Sequence, residues 1–391
     1  MTDSIHLPFE QPHPLRMPPL LDELKQQGPI HRIRTRVGDE AWLITDHREV
    51  RRLLAGDRLG RSHPDPENAA RVSDSALLGG PSGNFATERE DHARMRSLLK
   101  PYFSPRRTGA MRSRVKTMTT QFLDAMAGRP QPVDLNEALA APLAVMVICE
   151  LLGVPYEDRA QFGGWVRELC DVHDHALSER GLMQLYAYGQ QLVTLKRENP
   201  GDDVISGLCA TEGLTDDEIS RYAMVLLFAG HATTVVQIGL GVLLFLTNPE
   251  QRESLLDDPD LVVSAVEETL RAPGKASGGL LRYARGDIHV GPVTIRTGDL
   301  VLLDISAANH DETVFPEPDR FDIARDTTAH LTFGHGAHYC IGAPLARLEL
   351  QIVLSHLTRR FPEMRLAVPV EALTIRNDLL SGALAELPVS W

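Results

Sequence analysis

The sequence predicts a mainly α protein of the α+β class. Three observations carry that prediction. Helical periodicity dominates from about residue 47 to residue 271, strand-like segments are short and lie near the two ends, and one capped apolar run beginning at Thr215 is long enough to cross a whole domain.

Taken in order, residues 19–27 read as a short helix stopped by Gly28-Pro29. Residues 30–37 and 41–46 read as a small hairpin around Gly38-Asp39. Helical spacing then marks residues 47–55, 91–103, 106–127, 137–152 and 179–197. A Gly/Ser-rich loop lies between residues 72 and 87, and loops of that length inside a domain are often functional. Thr215 and Glu218 form a capping box at the head of the long helix, which should run to about Leu246, ahead of Asn248-Pro249. At 1.5 Å per residue it spans about 50 Å. Strands return at residues 288–295 and 300–305, joined by Arg296-Thr297-Gly298-Asp299, and a last helix fills 343–361 with Pro344 in its first turn.

Bulk properties narrow the class. The 391 residues exceed a typical domain, though one-core enzymes of this size exist, and 43% apolar content supports a large core. A net charge of −13 argues against a general binder of nucleic acid or anionic membrane. Cys149, Cys170, Cys209 and Cys340 lie far apart, which suits a reducing compartment better than a disulfide framework. The N-terminus has no charged-then-apolar leader, and no run of about 18 uninterrupted apolar residues occurs, so the expectation is a soluble cytoplasmic protein.

The most informative stretch is Phe333-Gly334-His335-Gly336-Ala337-His338-Tyr339-Cys340-Ile341-Gly342. A cysteine in a loop with three glycines, directly before a helix, suits a thiolate ligand beneath a large flat cofactor. Gly334, Gly336 and Gly342 are expected to turn through positive φ, and the helix N-terminus to favour the thiolate. A thiolate on haem iron pushes electron density so as to favour O–O cleavage. A zinc site from His335, His338 and Cys340 would need a fourth ligand, and no CxxC partner exists. Phe333, Gly334, Gly336, His338, Cys340 and Gly342 match F-G-x-G-x-H-x-C-x-G without gap or substitution, and by them the chain resembles the cytochrome P450 superfamily. The likeness covers nearly the whole chain in family order. It implies the triangular P450 fold as one domain over residues 1–391, haem b as cofactor and Cys340 as its iron ligand.

In the long helix, Ala229-Gly230-His231-Ala232-Thr233-Thr234 is similar to the family's oxygen-activation motif A-G-x-(D/E)-T-T, with Ala232 where the acid belongs. Gly230 costs roughly 1 kcal/mol against alanine, consistent with a close approach. Thr233 can bond back to a carbonyl or present its hydroxyl to oxygen. The resemblance carries over Thr233 for proton relay but no acid. His231, ordered water or a substrate hydroxyl is the favoured replacement donor, ahead of an unusual proton requirement or a poorly coupled enzyme.

Glu268 and Arg271 match the family's E-x-x-R, and Arg320, in the P-x-R-F region, is expected to complete a buried Glu–Arg–Arg cluster behind the cysteine loop. His92 and Arg96, one turn apart, match H-x-x-x-R. With Arg282 and His338 they are expected to hold the haem propionates. The segment before His92 lacks the usual D-P-P.

The resemblance draws the distal pocket from segments 72–85, 162–174, 186–195, 226–234, 274–281 and 379–383, mostly apolar apart from Lys275. It also points to the soluble actinobacterial branch that tailors macrolides, other polyketides and terpenoids. The expected activity is a monooxygenase using O₂ and electrons from a ferredoxin and its reductase, as a monomer. Arg94, Arg106, Arg107 and Arg347 offer a basic docking patch, or scattered solubilising charge. Alternatives are an oxidase of the same fold for aryl or phenol coupling or desaturation, and a catalytically silent haem protein binding a ligand or carrier protein.

Overall fold

The computed structural model describes residues 5–274, 278–379 and 382–391. Five strands form the largest sheet, in the order Ile30–Arg34, Glu40–Ile44, Leu300–Leu303, Leu280–Ala284, Leu59–Gly60. Neighbours are antiparallel except Glu40–Ile44 beside Leu300–Leu303, which run parallel. Leu300 and Leu302 face one apolar cluster, Val301 and Leu303 another. Period-two alternation thus buries both faces of this strand, which is why it reads as an unbroken apolar run. Residues 288–295, expected as one strand, are a separate hairpin of Ile288–Val290 and Val293–Ile295.

The helices surround the main core. Asp216–Thr247 crosses it for 32 residues, and both halves of its capping box at Thr215 and Glu218 are formed. Its length and composition would suit a membrane span, yet half of its most apolar window is buried inside the protein. It packs on Ala141–Leu152, His175–Glu198, Val262–Arg271 and Ala343–Arg360. A helix apolar all round its circumference belongs in a core.

Several boundaries differ from the sequence expectation; the helix expected at 179–197, for one, runs from His175 to Glu198. The helix containing His92 starts at Glu88 and ends at Leu99. The expected 106–127 helix is two, Pro105–Ala110 and Arg112–Ala127, because the Met111 N–H closes a tighter bond to Thr108 O. Residues 136–140 form a π-turn before Ala141–Leu152, where Pro142 has no N–H to continue a regular ladder.

Candidate functional site: a thiolate loop facing the central helix

Cys340 is fixed by its own backbone, its N–H donating to Phe333 O at 2.8 Å. Gly334 and Gly336 have φ of 72° and 70°, as expected of a loop this tight. A Cβ on Gly336 would lie 2.6 Å from Leu54 O, so the loop is seated on the end of helix His47–Ala55. Gly342 departs from expectation, with φ −79°. The Gly342 and Ala343 N–H groups point at the Cys340 thiol, and a Cβ on Gly342 would make only an ordinary 3.8 Å contact with Sγ. Burial raises the Cys340 pKa more than these N–H groups lower it. Burial thus outweighs the helix terminus, and a bound metal cation would favour the thiolate. Cys340 is accessible, but on the side that lines an internal cavity.

That cavity encloses about 1040 Å³ of free space, counting its open mouth. Cys340, Ile341 and Gly342 form one wall and Ala229, Gly230, Thr233, Thr234 and Gln237 of the central helix another. A Cβ on Gly230 would stand 2.5 Å from Ile148 Cδ1, so the glycine permits the close approach expected of it. Thr233 Oγ1 donates to Ala229 O at 2.8 Å. Ala232 turns from the cavity and packs against the main core. His231, the suggested donor, also misses the cavity. It stands edge-on to Phe162, and burial, with Arg167 nearby, lowers its pKa to about 4. Of the six segments expected to line a pocket, only residues 226–234 reach this cavity among the described residues, and most of its lining comes instead from the cysteine loop and the helix after it, with Phe103, Ile148 and Leu270. Lys275 lies outside the described residues.

The expected anion cradle assembles beside the loop. His338 stacks on His92, and Arg96 and Arg282 act on His92 electrostatically. Burial, with Arg61 alongside, lowers the Arg282 pKa to about 10. Arg61 was not anticipated from sequence, because nothing in its local spacing distinguishes it. Its Nε is buried without a partner and its pKa is lowered by burial. Glu88 is the one carboxylate felt by Arg61, Arg282 and His338. It is already committed, accepting from Arg61 N, Ser62 N, Ser62 Oγ and Arg285 Nη1. Glu88 thus anchors the helix start that lacks D-P-P. Buried cations short of an anion fit a flat group carrying carboxylates next to a thiolate, as haem does. Among the described residues no three His, Cys, Asp or Glu side chains converge as a metal site, which disposes of the zinc alternative.

Behind the loop, Arg271 and Glu268 form a fully buried bidentate pair at 2.7 and 2.8 Å. The third cation is Arg325, not Arg320. Asp322 N–H donates to Glu268 Oε1, turning the chain so that Arg320 points outward at 61% exposure. Arg325, five residues on, comes back with Nε 3.4 Å from Glu268 Oε1. Of the proposed docking arginines, Arg94 pairs with Glu218, Arg107 with Asp202 and Arg347 with Glu267. Arg347 also lies over the Phe333 ring at 4.6 Å, so it braces the loop.

A family model described as Cytochrome P450 matches residues 191–370. Pentalenolactone synthase of Streptomyces exfoliatus is 44% identical over the full length of both chains. Mycinamicin IV hydroxylase/epoxidase of Micromonospora griseorubida is 37% identical over 98% of each. Among solved structures, substrate-free cytochrome P450 PimD, a polyene macrolide antibiotic pimaricin epoxidase, superposes with TM-score 0.89 at 42% identity over both whole chains. CYP105P1 in complex with filipin I gives 0.92 at 38%, covering 100% of this chain and 99% of that one.

Proposed function

The chain belongs to the cytochrome P450 family and is a haem b monooxygenase, and from that premise we propose that it hydroxylates or epoxidises a mostly apolar secondary metabolite of the macrolide, polyketide or terpenoid kind. The observation that carries this reading is the shared cavity, in which Cys340 faces Thr233 across walls built from Phe103, Ile148, Leu226, Leu270 and Leu345. When bound, haem supplies oxygen activation, with the thiolate favouring O–O cleavage. Cys340 holds the iron, and the N–H groups of Gly342 and Ala343 steady the sulfur's charge. His92, Arg96, Arg282, His338 and Arg61 hold the propionates. Thr233, whose own proton is spent on Ala229 O, presents its oxygen as an acceptor that orients cavity water. The apolar walls exclude other water and orient an apolar substrate by shape.

The named relatives support the substrate class, since they act on macrolides or are called pentalenolactone synthase. Electrons come from a ferredoxin and its reductase, and the whole chain acts as one soluble cytoplasmic unit. Because three of the four candidate docking arginines are already paired, Arg106 and the rims of those pairs receive the partner. The test is a difference-spectrum titration with a panel of macrolides, terpenoids and aromatics, followed by turnover in labelled O₂ with surrogate ferredoxin and reductase. One labelled oxygen atom in a macrolide or terpenoid product is expected. A product without label would instead establish the coupling or desaturating oxidase, the reading that the missing acid at Ala232 favours. No turnover of any compound would leave a binding protein.

A further inference from the structure

Two neighbouring carboxylates on helix Val262–Arg271 face different partners. Glu268 turns to Arg271 and Arg325 behind the loop. Glu267 meets Arg347 instead, on the helix that follows Cys340. Arg347 Nε donates to Glu267 Oε1 at 2.7 Å and Nη2 to Oε2 at 2.8 Å, a forked pair. The remaining nitrogen, Nη1, donates to the Tyr339 hydroxyl at 2.9 Å, and the guanidinium lies 4.6 Å over the Phe333 ring. Tyr339 directly precedes Cys340, and Phe333 O holds the Cys340 N–H. One side chain thus grips both residues that position the cysteine.

The cluster is electrically balanced. Thr332 N–H donates to His330 Nδ1 at 3.2 Å, which leaves Nε2 to donate to Glu267 Oε2 at 3.0 Å, so that ring is neutral. Burial opposes ionisation of Glu267, but the bonds from His330 and Arg347 hold its pKa down at about 2, and the bond to Glu267 raises that of Arg347. A carboxylate and a guanidinium therefore face each other across the neutral range. Their side chains are only 19% and 29% exposed, respectively, so salt screens them weakly. The charges of Arg96 and Arg347 both reach the Cys340 sulfur. Arg96 has propionates to meet in the holoenzyme. Arg347, among the described residues, has Glu267 as its one ion-pair partner.

We propose that Arg347 and Glu267 together set how readily the haem iron accepts an electron, Arg347 favouring the reduced state by its charge beside the cysteine loop and Glu267 cancelling most of that effect. The inference rests on the haem monooxygenase reading. In the step concerned one electron passes from the ferredoxin to the iron, ferric becoming ferrous; no bond of the protein forms or breaks and no proton moves. The negative charge so added is stabilised by a cation at the loop and destabilised by an anion there. Both side chains act through the loop and its field, which makes them positioning residues. Tyr339 and Phe333 hold the guanidinium in place, so the effect does not depend on a mobile side chain.

The experiment is a spectroelectrochemical titration of the substrate-free holoenzyme. Wild type is compared with Glu267→Gln, Glu267→Asp, Arg347→Met, Arg347→Lys and the double variant Glu267→Gln with Arg347→Met. Glu267→Gln leaves Arg347 uncancelled and should shift the reduction equilibrium about ten-fold toward ferrous iron, ~59 mV for one electron. Arg347→Met should shift it by a similar factor the other way. The double variant again carries no net charge and should return to within about two-fold of wild type, although Tm falls in all three. Glu267→Asp and Arg347→Lys keep the charges but change the grip, so they should lose thermal stability with little change of potential. A purely structural brace predicts a different pattern: every variant that loosens the loop moves the potential the same way, and the double variant moves it furthest. Single-variant shifts of one sign, or a wild-type potential in Glu267→Gln, overturn the proposal. Where Arg347→Met does not retain haem, Glu267→Gln against Glu267→Asp decides, since a charge effect separates them and a loosened loop does not. Absence of the thiolate CO spectrum in wild type would instead strike the monooxygenase reading itself.

Discussion

The imidazole rings of His92 and His338 stack with centroids 3.9 Å apart and planes inclined by 31°. One ring belongs to helix Glu88–Leu99 and the other to the turn two residues before Cys340. Burial lowers both pKa values, His338 to about 4, and the two tilted rings lie against each other with the guanidinium groups of Arg96 and Arg282 nearby. The contact fixes the cysteine loop against the helix that supplies Arg96, and so couples the iron ligand to the propionate cradle.

Cys340→Ser should abolish the thiolate signature in the reduced CO-difference spectrum while the helical content stays near wild type. An intact signature would remove Cys340 from the iron.

Arg61→Leu should weaken haem retention, because it removes a buried cation whose Nε has no hydrogen-bond partner. The check is haem content after transfer to apomyoglobin, with loss several-fold faster than wild type. The same rate as wild type would make Arg61 a strut for Glu88 alone.

Arg325→Ala should destabilise by roughly 3–5 kcal/mol, since it strips one cation from the buried carboxylate of Glu268. Arg320→Ala should cost under about 1 kcal/mol, as expected for an exposed pair with Glu317. Thermal denaturation decides, and the reverse order would restore Arg320 to the cluster.

His310 is 2% exposed, with Nδ1 2.9 Å from Ser306 O. Burial lowers its pKa from 6.5 to about 4; the bond to Ser306 O opposes it in part, and Arg271, Asp319 and Lys25 have smaller effects. Between those values the unfolded chain binds a proton that the folded chain refuses, so stability rises with pH across the window. The contribution is complete above pH 6.5 and lost as pH falls toward 4, at roughly 3 kcal/mol. His310→Gln should flatten the dependence of Tm on pH in that range; an unchanged slope would place the titration elsewhere.

Ala232→Glu restores the family's acid beside Thr233. Because Ala232 packs on the main core and not on the cavity, the new carboxylate should cost about 1–3 kcal/mol in Tm terms and leave peroxide release unchanged. A clear fall in peroxide release would show that a carboxylate at this position reaches the oxygen site.

What was legible in the sequence was written locally. The Thr215–Glu218 capping box, the cysteine loop and the Glu268–Arg271 pair each depend on residues within a turn or a short loop of one another. What was not legible depends on where the chain returns. Arg325 replaces Arg320 because of a bend set by a backbone bond from Asp322 to a helix elsewhere in the chain. Arg61 enters the cradle through a bond to Glu88, 27 residues on. Glu349 sits inside an apolar helical pattern that makes it look like an ordinary exposed glutamate, and only the packed cavity shows it enclosed. The helix before His92 begins early because Glu88 has partners in strand-loop residues that helical periodicity does not see.

The central helix has a consequence for how the chain is made. Its apolar circumference needs neighbours on every side. When Thr247 leaves the ribosome, Ala141–Leu152 and His175–Glu198 already exist, but Val262–Arg271 and Ala343–Arg360 do not. One flank of the helix therefore meets water or another nascent chain until the last quarter of the protein is synthesised. Chains ending before residue 343 should aggregate through that flank, whereas late truncations after Arg360 should leave it covered. Yield of intact protein is thus set by how long translation takes to reach the cysteine loop and the helix that follows it.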